Sequence, residues 1–449
     1  MKYENWSVGY WCLKQYIAFA DWLIHKKTII TGKEKIPKNK PIVFAPNHQN
    51  GLSDPLAILL NTRFQPVWLA RADIFGTSKV VDTILRFLKI MPVYRLRDGK
   101  ENLQKNEQTF SDSIKVLERN FALALFPEAA HSPRRQMLPH KKAVARIVFR
   151  AEEKAKQPLD IQIIPAGIYY SHYWKFNRTV IVNFGSRIPV KDYYHQYLQK
   201  PNEATIRLKT KIHESILPLV LHFKTKKYYE AFEKIRELYG GHFLKRQNKA
   251  FSVLNLFRSD QLLADKLDQM EAENPEEIEN IVRLADALYS EIHQHKLRSW
   301  LIVTEQKHSG KFIINSLFLL LGLPLFFYGF LLNALPFFLI DRVVRKKVKD
   351  VSFWSTFFFG AGILLFPLFY LIELLAVAFL LPGLWWVKII FFISLPLAGK
   401  AAFKWYILFR KTLGRWHIIK LRIFDRSIYN HLQESKQQLF KNLDKFLPL

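Results

Sequence analysis

The chain has 449 residues, 49% of them hydrophobic and 15% aromatic, about three domains' worth by length and ample for a buried core. A net charge of +29 and a pI near 9.9 point to anionic partners. Long apolar runs between the basic residues, without zinc-finger spacing or an aromatic-basic stacking motif, favour lipid over nucleic acid. Cys12 is the only cysteine, which excludes an intramolecular disulfide and a metal-thiolate site and suits a reducing cytosolic face.

Near the N-terminus, Lys14, Asp21, Lys26 and Lys27 interrupt the apolar residues and no small-residue cleavage site follows, which argues against a cleaved signal. Trp6, Tyr10, Trp11, Tyr16, Phe19 and Trp22, mixed with Leu13, Ile17 and Leu23, predict a helix lying at the membrane interface within residues 1–35. An amphipathic helix packed on the next domain is the alternative.

Next, Ile42-Val43-Phe44-Ala45 predicts a buried strand ended by Pro46 and Asn47, and Ser53-Asp54-Pro55 opens a helix carrying Leu56, Ile58, Leu59 and Leu60. His48 falls on the connecting loop, where catalytic groups concentrate. A His without a Ser or Cys nucleophile beside it, but with a carboxylate close by, can serve as a general base toward a substrate hydroxyl. For Asp54 to be that carboxylate, Asn50-Gly51 must make a tight turn that brings it back to the imidazole. Otherwise Asp54 caps the helix and His48 fills a turn.

Three later segments extend the pattern. Ile90-Met91-Pro92-Val93-Tyr94-Arg95 is an apolar strand delivering Arg95, whose guanidinium can grip a phosphate with paired donors. Ala122-Leu123-Ala124-Leu125-Phe126 stops at Pro127 and presents Glu128, followed by Ala129-Ala130-His131-Ser132. Ile161-Gln162-Ile163-Ile164 runs into Pro165 and Gly167.

In this order the blocks resemble those of the glycerophospholipid acyltransferase superfamily: a His-x4-Asp box, an Arg-bearing block, a Phe-Pro-Glu-Gly box and a terminal Val-Pro block. The resemblance spans residues 36 to about 190 and is nearest to the fungal-type glycerol-3-phosphate and dihydroxyacetone-phosphate acyltransferases. These also place five residues between His and Asp, as His48 and Asp54 do here. Their Leu-Pro-x-Lys segment is matched by Leu138-Pro139-His140-Lys141, and their last block by Gly167, Tyr170, His172, Lys175, Phe176 and, after Asn177, Arg178. Ala129 departs from the family's glycine, which predicts a narrower pocket or a tilted loop.

The resemblance implies an α/β fold over 36–200, an αβα acyltransferase domain with a mixed sheet. It implies that His48 deprotonates an acceptor hydroxyl, Asp54 orients His48, and the alkoxide attacks an acyl thioester without an acyl-enzyme. Arg95 would hold the acceptor phosphate and Glu128 orient the acceptor, while Arg134, Arg135, Lys141 and Lys142 assist the phosphate or the donor pantetheine phosphate. Asn47, Asn50, Gly51, Pro127, His131 and Gly167 would line the pocket. No metal is expected, and no cofactor beyond an acyl-CoA or acyl carrier protein thioester as co-substrate. The acceptor would be glycerol 3-phosphate, dihydroxyacetone phosphate or a lysophospholipid. Phospholipid transacylation, or a non-catalytic membrane lipid-binding or transport protein with an acyltransferase-like domain, are the rival readings.

Residues 201–311 carry helical periodicity and mixed charge, predicting an accessory helical region without a catalytic constellation, internal repeat or low-complexity linker. Residues 312–340 contain no charged side chain and 351–387 contain only Glu373, so both exceed the roughly 20 apolar residues that a span needs. Basic clusters at Arg342–Lys349 and at Lys400, Lys404, Arg410, Lys411 and Arg415 predict flanks on the cytoplasmic side with the catalytic domain. Residues 312–403 should thus form membrane hairpins broken at Gly322-Leu323-Pro324 and Pro382-Gly383, the first re-entrant or, alternatively, a single tilted span, with 404–449 a basic cytosolic tail. Glu373 is expected to pair with a polar group between helices.

Overall fold

The computed structural model describes residues 3–94, 105–304 and 308–447. Two compact units form: residues 1–220 with 343–363, and residues 221–342 with 364–449.

The first unit opens with α1 (Val8–Ile24), capped by Ser7, whose hydroxyl accepts from the Tyr10 amide. This helix buries Tyr10, Lys14 and Ile17 and exposes Trp11, Tyr16, Phe19 and Trp22. The Lys14 ammonium donates to the carbonyls of Thr62 and Phe64 at 2.7 and 3.0 Å, so one face is tied to the domain while on the aromatic face Tyr16 donates to the Ile363 carbonyl at 2.6 Å and Trp11, Phe19 and Trp22 stay exposed.

The chain then forms β1 (His25–Thr31), β2 (Ile42–Pro46), α2 (Ser53–Asn61), β3 (Val67–Arg71), α3 (Lys79–Phe87), β4 (Ile90–Val93) and α4 (Asn106–Glu118). After these come β5 (Ala122–Ala124), α5 (Ala143–Lys154), β6 (Gln162–Tyr170), β7 (Arg178–Phe184), β8 (Ile188–Pro189), α6 (Lys191–Gln199) and α7 (Pro201–Ile216). The strands make one mixed sheet in the order β1-β7-β6-β2-β5-β3-β4, with β8 on β6. Pairings are parallel except β6 with β7 and β8.

Side chains alternate between two cores because successive strand residues face opposite sides. Val43, Ala45, Leu123 and Ile163 pack with Ile114, Leu117, Val148, Phe149 and Leu208 of α4, α5 and α7. Ile42, Phe44, Trp68, Ile164 and Ile168 pack with Ala57 and Ile58 of α2 on the other side. Strand β2 is buried along its whole length, as its unbroken apolar run demands of a strand covered on both faces.

Three boundaries differ from the expectation. The sheet begins at His25, upstream of residue 36, because β1 pairs with β7 from His25↔Arg178 onward. β6 continues through Pro165 and Gly167 to Tyr170, since the neighbouring β2 and β7 hold it on both sides. Helix α7 belongs to the sheet's unit, burying Ala204, Leu208, Ile212 and Ile216.

The second unit contains α8 (Tyr229–Arg246), α9 (Val253–Glu273), α10 (Pro275–Gln294), α11 (Ser299–Val303) and α12 (His308–Leu321). α13 (Leu323–Lys347), α14 (Trp354–Leu380), α15 (Trp385–Phe424) and α16 (Arg426–Phe446) complete the chain. The first apolar block does break at Gly322, yet unequally: 14 residues precede it and 25 follow. At 1.5 Å per residue α13 reaches about 37 Å because it continues through Arg345-Lys346-Lys347, so the symmetric re-entrant hairpin gives way to one helix long enough to cross. Among the described residues, three helices have the length and apolarity to span a membrane: Leu323–Lys347, Val351–Leu380 and Trp385–Phe424. The second block turns where expected, at Gly383 with φ +86°.

Residues 404–449 are no loose tail. α15 runs on to Phe424, and α16 buries Leu432, Leu439 and Leu443, while Asp444 accepts from the Tyr239 hydroxyl at 2.6 Å and pairs with Arg246 at 3.0 Å. Between the apolar helices one buried polar link is Asn333, which accepts from Tyr370 at 2.6 Å and donates to the Leu395 carbonyl at 3.2 Å. Glu373 does not take that part, and its Oε2 has no hydrogen-bond partner among the described residues.

Candidate active site

The loop leaving β2 is clamped at its root. Asn47 Nδ2 donates to the Ile168 carbonyl at 3.2 Å and Asn47 Oδ1 accepts the Ile168 amide at 2.7 Å, making the side chain a strand-end fastener rather than a pocket wall. The chain then turns at Gly51, whose φ of +38° lies in the region glycine favours, and Ser53 N donates to Asn50 O at 2.8 Å. The turn carries Asp54, in the first turn of α2, back to the imidazole.

Asp54 is fully buried and accepts on both oxygens. Oδ2 lies 2.8 Å from His48 Nδ1 and accepts the amides of Gln49 and Asn50 at 2.6 and 2.7 Å, while Oδ1 accepts the Tyr170 hydroxyl at 2.8 Å. A carboxylate only accepts, so Nδ1 carries the imidazole proton and Nε2 is left with a lone pair. The ring stacks on Phe126 with centroids 3.8 Å apart and planes 10° off parallel, which fixes its orientation as well as its tautomer.

Glu128, 2% exposed, faces the protein: Oε1 accepts the His48 amide and Oε2 the Leu138 amide, each at 2.9 Å. Burial pushes its carboxyl up to about 8, against the pull of the two amides. It therefore ties the His48 loop to the segment after β5. Beside it Ala129 adopts φ +57°, the conformation in which the family's glycine is at ease. Ala129→Gly should raise thermal stability by roughly 1 kcal/mol. A thermal-unfolding midpoint unchanged or lowered in that variant would show the strain is absent.

Below Asp54 lies a second buried layer, built from Arg178 and Tyr170 of the last family-like block. Arg178, 5% exposed, donates from Nε to His25 Nε2 at 2.9 Å and from its terminal nitrogens to the Ser53 hydroxyl at 2.8 Å and the Tyr173 carbonyl. Its guanidinium sits 4.7 Å over the Tyr170 ring. Burial raises the Tyr170 phenol well above its ordinary range, so it stays a donor to Asp54. Tyr170→Phe removes that donor without changing shape and should lower kcat about tenfold at constant acceptor KM. Unchanged kcat would leave Tyr170 a packing residue.

The remaining candidates divide. His131 comes within 5.3 Å of the His48 ring, and its own basicity is lowered chiefly by burial. Arg134 accepts from Gln49 through its carbonyl and is exposed, whereas Arg135 is buried, donating to Tyr170 O at 3.1 Å between the rings of Tyr169 and Tyr173. Pro127 accepts the Lys141 amide at 2.7 Å; Lys141 is exposed and Lys142 stands at the N-cap position of α5 without a side-chain capping bond. His140 is buried edge-on to His213 at 4.6 Å, and burial pushes it down to about 3. Gly167 stands apart from this loop cluster, pressed against the Leu219 carbonyl. Arg95 lies outside the described residues.

Residues 27–169 match the family model described as Acyltransferase. This segment is an acyltransferase-family domain. The chain is 25% identical over 207 residues to glycerol-3-phosphate O-acyltransferase 2 of Saccharomyces cerevisiae, covering 44% of this chain and 26% of the relative. It thus spans about a quarter of that relative's length. Among solved structures, the 1-acyl-sn-glycerophosphate (LPA) acyltransferase PlsC of Thermotoga maritima is 20% identical, with a TM-score of 0.32 over 46% of this chain and 78% of that one.

Proposed function

We propose that the protein moves a fatty acyl group from an acyl thioester to a hydroxyl of a phosphorylated glycerol-type acceptor. The carrying observation is the pairing of His48 Nδ1 with buried Asp54, which leaves Nε2 as the base. Nε2 removes the hydroxyl proton as the oxygen attacks the thioester carbonyl. The tetrahedral intermediate collapses, the carbon–sulfur bond breaks, and the imidazolium returns its proton to the leaving thiolate. No acyl-enzyme forms. Asp54 holds the tautomer and stabilises the transient imidazolium, while Glu128 and Tyr170 keep loop and carboxylate in register.

The yeast relative's name supports glycerol 3-phosphate as the first acceptor to try, with dihydroxyacetone phosphate and lysophospholipids beside it. Purified protein offered labelled acyl-CoA and acyl carrier protein thioester with this acceptor panel should yield acylated acceptor. Label entering only when a phospholipid is the donor would make the protein a transacylase; none entering in any combination would retire the enzymatic reading.

The domain would work at the cytoplasmic membrane face. Arg345, Lys346, Lys347 and Lys349 are costly to carry across a bilayer and suit anionic cytoplasmic lipid. A cysteine placed at Lys347 in a Cys12→Ser background should escape an impermeant thiol reagent in intact cells and react once they are permeabilised. Reaction in intact cells would put this loop outside.

A further inference from the structure

We infer that the segment Asp350–Phe358, which joins two apolar helices, is a working part of the catalytic centre and fixes the loop that carries His48. The inference rests on the general-base reading of His48. The loop's own residues leave the start of α2 unfinished: Leu52, at its N-cap, has no side-chain oxygen to offer. Its own amide, a separate donor at the same helix start, is taken by the Thr356 hydroxyl at 3.0 Å, 304 residues further along the chain. The approach is so close that a Cβ on Gly51 would stand 2.5 Å from Thr356 Oγ1. Gly51 thus serves twice, for its backbone angle and for the space it leaves.

Ser355 supplies a second tie, and the hydrogen-bond directions can be followed donor by donor. Arg178 donates to Ser53 Oγ at 2.8 Å, so the Ser53 proton is available to Ser355 Oγ at 2.9 Å. Ser355 then donates to Asn50 Oδ1 at 2.7 Å, and Asn50 Nδ2 donates to the Tyr173 carbonyl at 2.7 Å. Each hydroxyl accepts once and donates once, with no conflict along the chain of bonds. Asn50 is held from both ends while its amide donates to Asp54.

The same segment also reaches His131, the ring next to the imidazole. Ser352 Oγ donates to Asp350 Oδ1 at 2.7 Å, and His131 Nε2 meets Ser352 Oγ at 3.4 Å. Phe353 packs edge-on to the His131 ring at 4.8 Å. Ser352 to Thr356 therefore touch the loop at Asn50, Leu52 and Ser53 and the neighbouring ring at His131. They act as positioning residues, since the base itself is His48.

The test has two arms, both in the full-length chain in a Cys12→Ser background and in membranes. Thr356→Val, equal in shape but without the hydroxyl, should lower kcat about tenfold with acceptor KM within about twofold, and Thr356→Ser should restore it. A Ser53→Cys, Ser355→Cys pair should join as a disulfide under mild oxidation, read as a fragment that stays linked after cleavage of the chain between the two sites. Valine at 356 with wild-type kcat, serine that fails to rescue a valine defect, or a thiol pair that does not join would each overturn the proposal. The reading of His48 is judged separately: if His48→Ala retains turnover that reading falls, whereas the disulfide arm still reports whether the segment docks.

Discussion

His48→Ala is expected to lower turnover by about 10²- to 10⁴-fold, the usual loss for a general base, with the fold and membrane association intact. The imidazole stands on a loop between β2 and α2, and the neighbours that hold its ring, Phe126 and Asp54, have other partners in the fold. Phe126 also stacks on Trp68, and Asp54 keeps the Gln49 and Asn50 amides and the Tyr170 hydroxyl. Turnover should therefore collapse while the thermal midpoint moves little. Near-normal kcat in the alanine variant would remove His48 from the mechanism whatever the geometry around it.

Arg178→Met is expected to be the most damaging change outside the loop, costing about 3 kcal/mol of stability. Methionine fills much of the space but takes the guanidinium donor from His25 Nε2 and the Ser53 hydroxyl in a buried region and leaves the Tyr173 carbonyl with only the Asn50 side-chain amide. Turnover should fall with stability, because Ser53 lies next to Asp54. Thermal unfolding and acyl transfer measured on one preparation decide the matter, and a variant as stable as wild type would mean that Arg178 repays no more than its own desolvation.

The loop that carries His48 was legible in the sequence because its signals are local. An unbroken apolar run, a Pro-Asn stop, Asn50-Gly51 and a Ser-Asp-Pro helix start lie within about 14 residues, and each has its own steric or hydrogen-bonding reason. Tyr170 and Arg178 carried no such signal. They reach Asp54 and Ser53 across 116 and 125 residues, and only the pairing of β6 with β2 and β7 brings them there. Ser355 and Thr356 were masked in another way, since their surroundings spell an apolar membrane helix. The apolar run alone understates the length of α13, because the helix continues past Asp341 into its basic flank. In α16, Leu432, Leu439 and Leu443 recur at helical spacing within a strongly polar stretch, a periodicity that charge alone concealed.

Helix α15 is 40 residues without a break, about 60 Å of one rod. Leu395, Ala398 and Ala402 are buried along its first half, and Thr412, Arg415 and Ile418 along its second. Since each residue turns a helix by about 100°, these two faces are locked in phase by the number of residues between them. Gaining or losing one residue near Lys404 would swing one face a quarter-turn or more off its neighbours, while a change of seven would nearly restore it. The rod thus acts as a ruler: its register, more than its composition, is what natural variation must preserve.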